Sequence, residues 1–163
     1  MTSIDFFCLD VDGVLTDGTF LYSETGKAYK RFGPEDSDAL QVLRRFIKVE
    51  FVTADRRGYK ISQSRIERDM GFPIHLIGSS ERLEWISGNS DLDRTAYMGD
   101  SFVDIPILSA VGIGIAPSNS SPHVHRAADF VTSSSGGRGA VAEACFFLAD
   151  KLGIEPPEFS FLR

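Results

Sequence analysis

Near the N-terminus the chain reads Ile4-Asp5-Phe6-Phe7-Cys8-Leu9-Asp10-Val11-Asp12-Gly13-Val14-Leu15-Thr16. Residues 4–10 form a short, nearly continuous apolar run, which predicts a strand buried on both faces inside a parallel sheet. Outward from it the pattern alternates. Residues 49–53, 74–77, 95–98, 112–116 and 129–132 read as further strands. Helical spacing lies between them. From Asp36, residues Ala39, Leu40, Val42, Leu43, Phe46 and Ile47 fall on one apolar stripe, and a second helix over 59–70 stops before Gly71 and Pro73. Residues 81–87, 102–110 and 122–128 continue the series. The last helix is the clearest, with Val141, Ala144, Cys145, Leu148 and Leu152 at i, i+3, i+4, i+7 and i+11. Residues 18–32 break the pattern and read as a β-hairpin projecting from the body.

Strand-helix alternation predicts an α/β fold, a Rossmann-like three-layer α/β/α sandwich around a parallel sheet with right-handed crossovers. A length of 163 residues suits one domain, expected over residues 1–153, with the hairpin flap at 18–32 and a C-terminal tail at 154–163. In such folds the ligand crevice lies beyond the carboxyl ends of the strands. Polar residues collect there: Asp10 and Asp12 end the first strand, Thr53 ends the next sheet strand, and Asp100 follows the strand at 95–98.

Lys plus Arg number 17 against 23 Asp plus Glu, a net charge of −6, which argues against nucleic acid as a partner. The 42% apolar and 25% charged fractions exclude a disordered or collagen-like chain. Cys8 and Cys145 each sit in an apolar run with no CxxC, which argues against structural zinc and suits a reducing cytosol. No run approaches the roughly 18 apolar residues that span a bilayer, so a soluble, cytoplasmic protein with no membrane partner is expected.

Asp10 and Asp12, two apart on an extended backbone, point the same way and can face one ligand. Acidic pairs also build turns and caps, and the pair alone leaves that reading open. An EF-hand is excluded, since Val14 stands where a third acidic ligand belongs and Leu21 where the bidentate Glu should be. A second segment, Gly99-Asp100-Ser101-Phe102-Val103-Asp104, follows a strand and opens a helix, where aspartate also serves as a cap. Its Gly-Asp-Ser string admits Ser101 as a nucleophile. That chemistry needs a histidine held by an acid, and Ser120 and Pro122 stand three residues before His123 and His125, where the acid belongs.

Asp10, Asp12, Asp100 and Asp104 in one cleft require a cation, because two like charges ~4 Å apart at an effective dielectric of about 20 repel by ~4 kcal/mol. Oxygen-only ligands suit Mg²⁺. One carboxylate can then attack the phosphorus of a phosphate monoester, while another protonates the leaving alkoxide and later deprotonates water. Donors for the phosphate are the Thr53 hydroxyl, backbone N–H groups just after it at Ala54, and Arg82, which follows Gly78-Ser79-Ser80. Taken singly, Thr53 also reads as an ordinary strand residue and Arg82 as a solvated helix residue.

The order Asp10-Val11-Asp12-Gly13-Val14-Leu15-Thr16-Asp17-Gly18, then Thr53, a basic residue, and Gly99-Asp100-x-x-x-Asp104 resembles the haloacid dehalogenase superfamily of phosphatases. With Gly136-Gly137-Arg138-Gly139-Ala140-Val141 the chain is most similar to its small branch without a cap domain, the 3-deoxy-D-manno-octulosonate 8-phosphate phosphatase-like enzymes; the likeness spans residues 4–148. The resemblance implies Asp10 as the nucleophile forming an aspartyl-phosphate and Asp12 as general acid/base. It implies Mg²⁺ held by Asp10, the backbone carbonyl of Asp12, and Asp100, with Asp104 in support through water. Thr53 would bind the phosphoryl group. Arg82 stands where the family usually has Lys, and Ala54-Asp55-Arg56-Arg57 where relatives commonly carry Gly and then a substrate-facing Arg or Glu. Arg56 and Arg138 are the candidate substrate contacts. The substrate implied is a small phosphorylated metabolite, an eight- or nine-carbon sugar-acid phosphate. A homotetramer is implied as well, with the hairpin touching neighbours and the tail reaching an adjacent site. The departures from the family pattern leave a second reading open, a catalytically idle oligomerisation or regulatory domain. A serine esterase is the third.

Overall fold

The computed structural model describes residues 3–154, so the expected tail, apart from Ile154, lies outside the described residues. In chain order the strands are β1 (Phe6–Asp10), β2 (Thr16–Ser23), β3 (Gly26–Phe32), β4 (Lys48–Thr53), β5 (Ile74–Leu76), β6 (Thr95–Met98), β7 (Ile113–Ala116) and β8 (Phe130–Val131). The helices are α1 (Glu35–Leu43), α2 (Tyr59–Gln63), α3 (Arg82–Asn89), α4 (Ile105–Leu108), α5 (Pro122–His125) and α6 (Ala140–Leu152). Strands β2 and β3 pair with each other; the other six form one sheet in the order β5-β4-β1-β6-β7-β8, every pairing parallel. Central β1 sets Leu9 level with Phe51 of β4 on one side and Met98 of β6 on the other.

Alternate side chains of β1 leave opposite faces of the sheet. Phe7 and Leu9 pack with Leu40 and Leu43 of α1 and with Cys145 and Leu148 of α6. Phe6 and Cys8 pack with Ile86 of α3, Ile107 of α4 and Val124 of α5. This two-sided burial is why the run shows no polar alternation. Each fully buried Phe or Leu side chain contributes about 1.5–3 kcal/mol, so the strand that carries Asp10 and the approach to Asp12 is firmly anchored from both faces. The three-layer sandwich and the hairpin are as the sequence leads one to expect.

Three helices differ in detail. The stripe predicted from Asp36 through Ile47 ends at Leu43 as α1. Phe46 N–H and Ile47 N–H both return to Leu43 O, which turns the chain into β4, and Phe46 is left exposed while Ile47 still reaches the core. The helix expected over 59–70 continues beyond α2 as a π-helical turn, Ser64–Asp69, widened where Met70 N–H bonds Arg65 O. The helix expected over 102–110 is a 3-10 turn, Phe102–Asp104, followed by the short α4. Elsewhere the boundaries differ by a few residues at most.

Candidate active site

Asp10 is the last residue of β1, Thr53 the last of β4, and Asp100 lies two residues past β6. Because these strands are adjacent and parallel, their carboxyl ends share one edge of the sheet. Past Asp10 the chain turns sharply: Leu15 N–H and Thr16 N–H both donate to Val11 O, at 2.9 and 3.1 Å. Gly13 has φ +86°, and a Cβ on it would overlap the Asp100 carboxylate, so glycine lets the two acidic segments meet. The loop is braced from the far end of the chain. Asn119 Nδ2–H donates to Gly13 O (3.0 Å), Asn119 Oδ1 accepts from Gly136 N–H (2.7 Å), and Gly137 N–H donates to Val14 O (3.1 Å). A Cβ on Gly136 would collide with Gly13 O, which explains the first glycine of the Gly-Gly-Arg-Gly string by close backbone packing.

Carboxylate oxygens of Asp10, Asp100 and Asp104 all lie within 4.8 Å of one another. Burial, reinforced by the charge of Asp104, pushes Asp100 up to about 7. Burial also raises Asp10 well above the usual carboxylate range, with Arg82 opposing the shift and Asp104 and Asp100 adding to it. Crowded, desolvated carboxylates are relieved by a hard cation, and the all-oxygen donor set fits Mg²⁺.

Arg82, the first residue of α3, is 2% exposed and turned inward, not solvated. Its Nη1 donates to Tyr97 OH (2.8 Å) and Asp104 Oδ1 (2.9 Å) and lies 3.3 Å from Asp10 Oδ1. Tyr97 OH donates to Asp104 Oδ1 (2.6 Å), and Ser101 N–H donates to Asp104 Oδ2 (3.0 Å). Asp104 is wholly buried; it holds Arg82 and closes the turn that carries Asp100. Arg82 Nε finds no hydrogen-bond partner among the described residues.

A cleft of about 320 Å³ opens over this group. Asp10, Asp12, Thr53, Ala54, Arg82 and Asp100 line it. Arg56 and Arg138 do not: both are exposed, and the residue that enters the cleft after Ala54 is Asp55. The hairpin adds Gly18 and Phe20 to the wall. Behind that wall it brings Lys30 to Asp12, a contact sequence reasoning missed because a lysine in a two-stranded ribbon reads as a solvent-facing charge. Its Nζ lies 2.8 Å from Asp12 Oδ1 and donates to Asp12 Oδ2 (3.0 Å). Tyr97 is equally silent in sequence: a phenol inside an apolar strand gives no sign of the aspartate it meets.

The serine-esterase reading is overturned here. Ser101 and Asp104 cap each other's backbone N–H groups across the 3-10 turn. His125 bonds Pro117 O, His123 pairs with Arg126 and His75 with Glu50; among the described residues no histidine lines the cleft. Ser101 therefore has no base.

A parallel α/β sheet with aspartates and a threonine gathered at its strand ends is the frame of a phosphoryl-transfer hydrolase, and a family model described as haloacid dehalogenase-like hydrolase matches residues 86–144. The 3-deoxy-D-manno-octulosonate 8-phosphate phosphatase of Haemophilus influenzae is 33% identical over 151 residues, covering 88% of this chain and 81% of that protein. The Escherichia coli K12 enzyme of the same name is 33% identical over 153 residues, covering 90% and 79%. The chain belongs to this phosphatase family. Among solved structures, the Moraxella catarrhalis phosphatase in complex with a magnesium ion, a phosphate ion and a KDO molecule aligns with a TM-score of 0.85 at 26% identity, covering 99% of this chain and 95% of that one. The cobalt-bound Haemophilus influenzae phosphatase aligns at 0.81 and 28% identity, covering 93% and 88%.

Proposed function

We propose that this chain is a Mg²⁺-dependent phosphomonoesterase that works through an aspartyl-phosphate on Asp10 and acts on an eight- or nine-carbon sugar-acid phosphate, with 3-deoxy-D-manno-octulosonate 8-phosphate the first candidate and a nonulosonate 9-phosphate the second. The observation that carries the reading is the convergence of Asp10, Thr53, Arg82 and Asp100 on one edge of the sheet. Asp10 Oδ attacks phosphorus as the bond to the leaving oxygen breaks, and Asp12 gives that oxygen a proton. Asp12 then takes a proton from the water that cleaves the acyl phosphate. Thr53 Oγ1, the Ala54 N–H and Arg82 bind phosphoryl oxygens. Asp10, the Asp12 carbonyl and Asp100 hold Mg²⁺, with Asp104 behind them. When bound, Mg²⁺ supplies the positive charge that lets an anionic carboxylate meet an anionic phosphate. The buried, free thiols of Cys8 and Cys145 support a reducing, cytoplasmic setting. Among the described residues no helix is long and apolar enough to cross a membrane. Self-association as a homotetramer through the hairpin belongs to the same reading and is supported by exposed Leu21, Tyr22 and Tyr29.

The test is phosphate release from a panel of sugar-acid phosphates and one aryl phosphate, with Mg²⁺ and with chelator. Turnover that needs Mg²⁺ and vanishes in Asp10→Asn is the expected outcome. A folded wild-type protein that releases no phosphate from any member would leave the idle-domain reading standing instead.

A further inference from the structure

Lys30 stands on β3 of the hairpin, yet its side chain is 0% exposed. An ammonium group has three N–H donors, and here three residues receive them. Asp12 Oδ2 accepts at 3.0 Å, Ser62 Oγ of α2 lies at 2.9 Å, and Asp55 Oδ2 lies at 2.8 Å. Asp55 is itself fixed. Its Oδ2 accepts from Lys27 Nζ (2.6 Å), its Oδ1 accepts from Gly58 N–H (3.0 Å), and its own N–H donates to Thr53 Oγ1 (3.1 Å). A Cβ on Gly58 would collide with Asp55 Oδ2 and with Lys30 Cε, so the backbone there leaves room for the lysine stem. Lys27 Nζ in turn sits 3.4 Å above the Phe20 ring, which walls the cleft.

A buried ammonium shared between two carboxylates is costly to assemble and rigid once assembled. What it immobilises is Asp12. Both oxygens of that carboxylate meet the ammonium, Oδ2 accepting from Nζ at 3.0 Å and Oδ1 lying 2.8 Å from it, while Asp12 still lines the cleft. We infer that Lys30 is a positioning residue for Asp12: gripping both oxygens, it fixes the rotation of the carboxylate at the cleft wall, and Asp55 ties that orientation to the strand end bearing Thr53. Seating the hairpin over the cleft is thus part of assembling the acid/base group. Proton donation requires the donor within hydrogen-bond reach of the departing oxygen, which a freely rotating carboxylate meets only part of the time.

The inference rests on the phosphatase reading, and leaving-group dependence separates the two. For kcat/KM, which reports the steps through formation of the acyl phosphate, an alkyl ester such as a sugar phosphate needs a proton on its leaving oxygen, whereas 4-nitrophenyl phosphate barely does. Lys30→Met is expected to lower kcat/KM on the sugar phosphate by roughly 10²–10³-fold and on the aryl ester by less than about 10-fold. Lys30→Gln keeps an N–H donor of similar reach and is expected to show the same bias with a smaller loss, which preserves the test if the methionine variant does not fold. Circular dichroism confirms folding of whichever variant is assayed. Equal losses on the two esters, or no loss on either, would overturn the role of Lys30 while leaving the phosphatase reading intact. A wild-type protein inactive on both esters overturns both.

Discussion

Arg82 is the buried basic residue at the centre of the aspartate cluster. Its Nη1 meets Tyr97, Asp104 and Asp10 at 2.8, 2.9 and 3.3 Å, with the side chain buried at the base of the cleft. A planar guanidinium can hold Asp104 and Tyr97 on one nitrogen and still direct its remaining N–H groups elsewhere; an ammonium is a single point of charge. Arg82→Met strips two buried carboxylates of their counter-charge and is expected to cost about 3–5 kcal/mol of stability and to abolish turnover. Arg82→Lys keeps the charge and is expected to stay folded and retain turnover with a raised KM. Urea denaturation and steady-state kinetics on both variants check this. The identity of the basic residue was legible from its place in the motif order; its burial was not, since that depends on Tyr97 and Asp104 arriving from another strand and its following turn.

At the level of elements, a buried carboxylate of α1 caps the start of α6 beside their shared apolar contact. Asp36 of α1 accepts the N–H of Ala142, in the first turn of α6, at 2.9 Å. Burial pushes the Asp36 carboxyl above its ordinary range, and the N–H groups of Ala142, Gly139 and Val141 work against that shift. Asp36→Ala leaves a first-turn donor of α6 unpaired and is expected to destabilise the fold by about 1–3 kcal/mol in urea denaturation, with Asp36→Asn costing less because the amide oxygen still accepts. The apolar face of α6 was plain in the spacing of its residues. Its clamp was not: Asp36 opens a helix in sequence and reads as that helix's own start signal, whereas its partner lies at the start of another helix. The π-helical turn after α2 was equally hidden, because an added residue in a helical turn alters no local composition.

For the whole molecule, the hairpin is the part whose role the sheet does not explain. Its inner side delivers Lys27 and Lys30 to Asp55 and Asp12, with Phe20 at the cleft wall. Leu21, Tyr22 and Tyr29 are 55%, 60% and 67% exposed. Apolar groups gathered at one projection mark a surface that gains by association. The proposed tetramer predicts that Leu21→Asp together with Tyr22→Asp shifts sedimentation velocity from tetramer to smaller species. A tetramer that survives both changes would take the hairpin out of the interface.

The strand-helix alternation, the Rossmann-like α/β layering and the aspartates at the sheet edge were readable from the chain because each is written locally: a two-sided strand is an unbroken apolar run, and a turn that brings acids to a sheet edge is Asp-x-Asp-Gly. Arg56 and Arg138 stand outside the cleft lining, and motif order could not say so, because it tells which segment approaches the site and not which side chain turns into it. That decision, like the burial of Lys30, Arg82 and Tyr97, belongs to tertiary structure. A charged side chain is drawn inside only when opposite charges from distant segments are already there to receive it, and no neighbour in sequence can announce them.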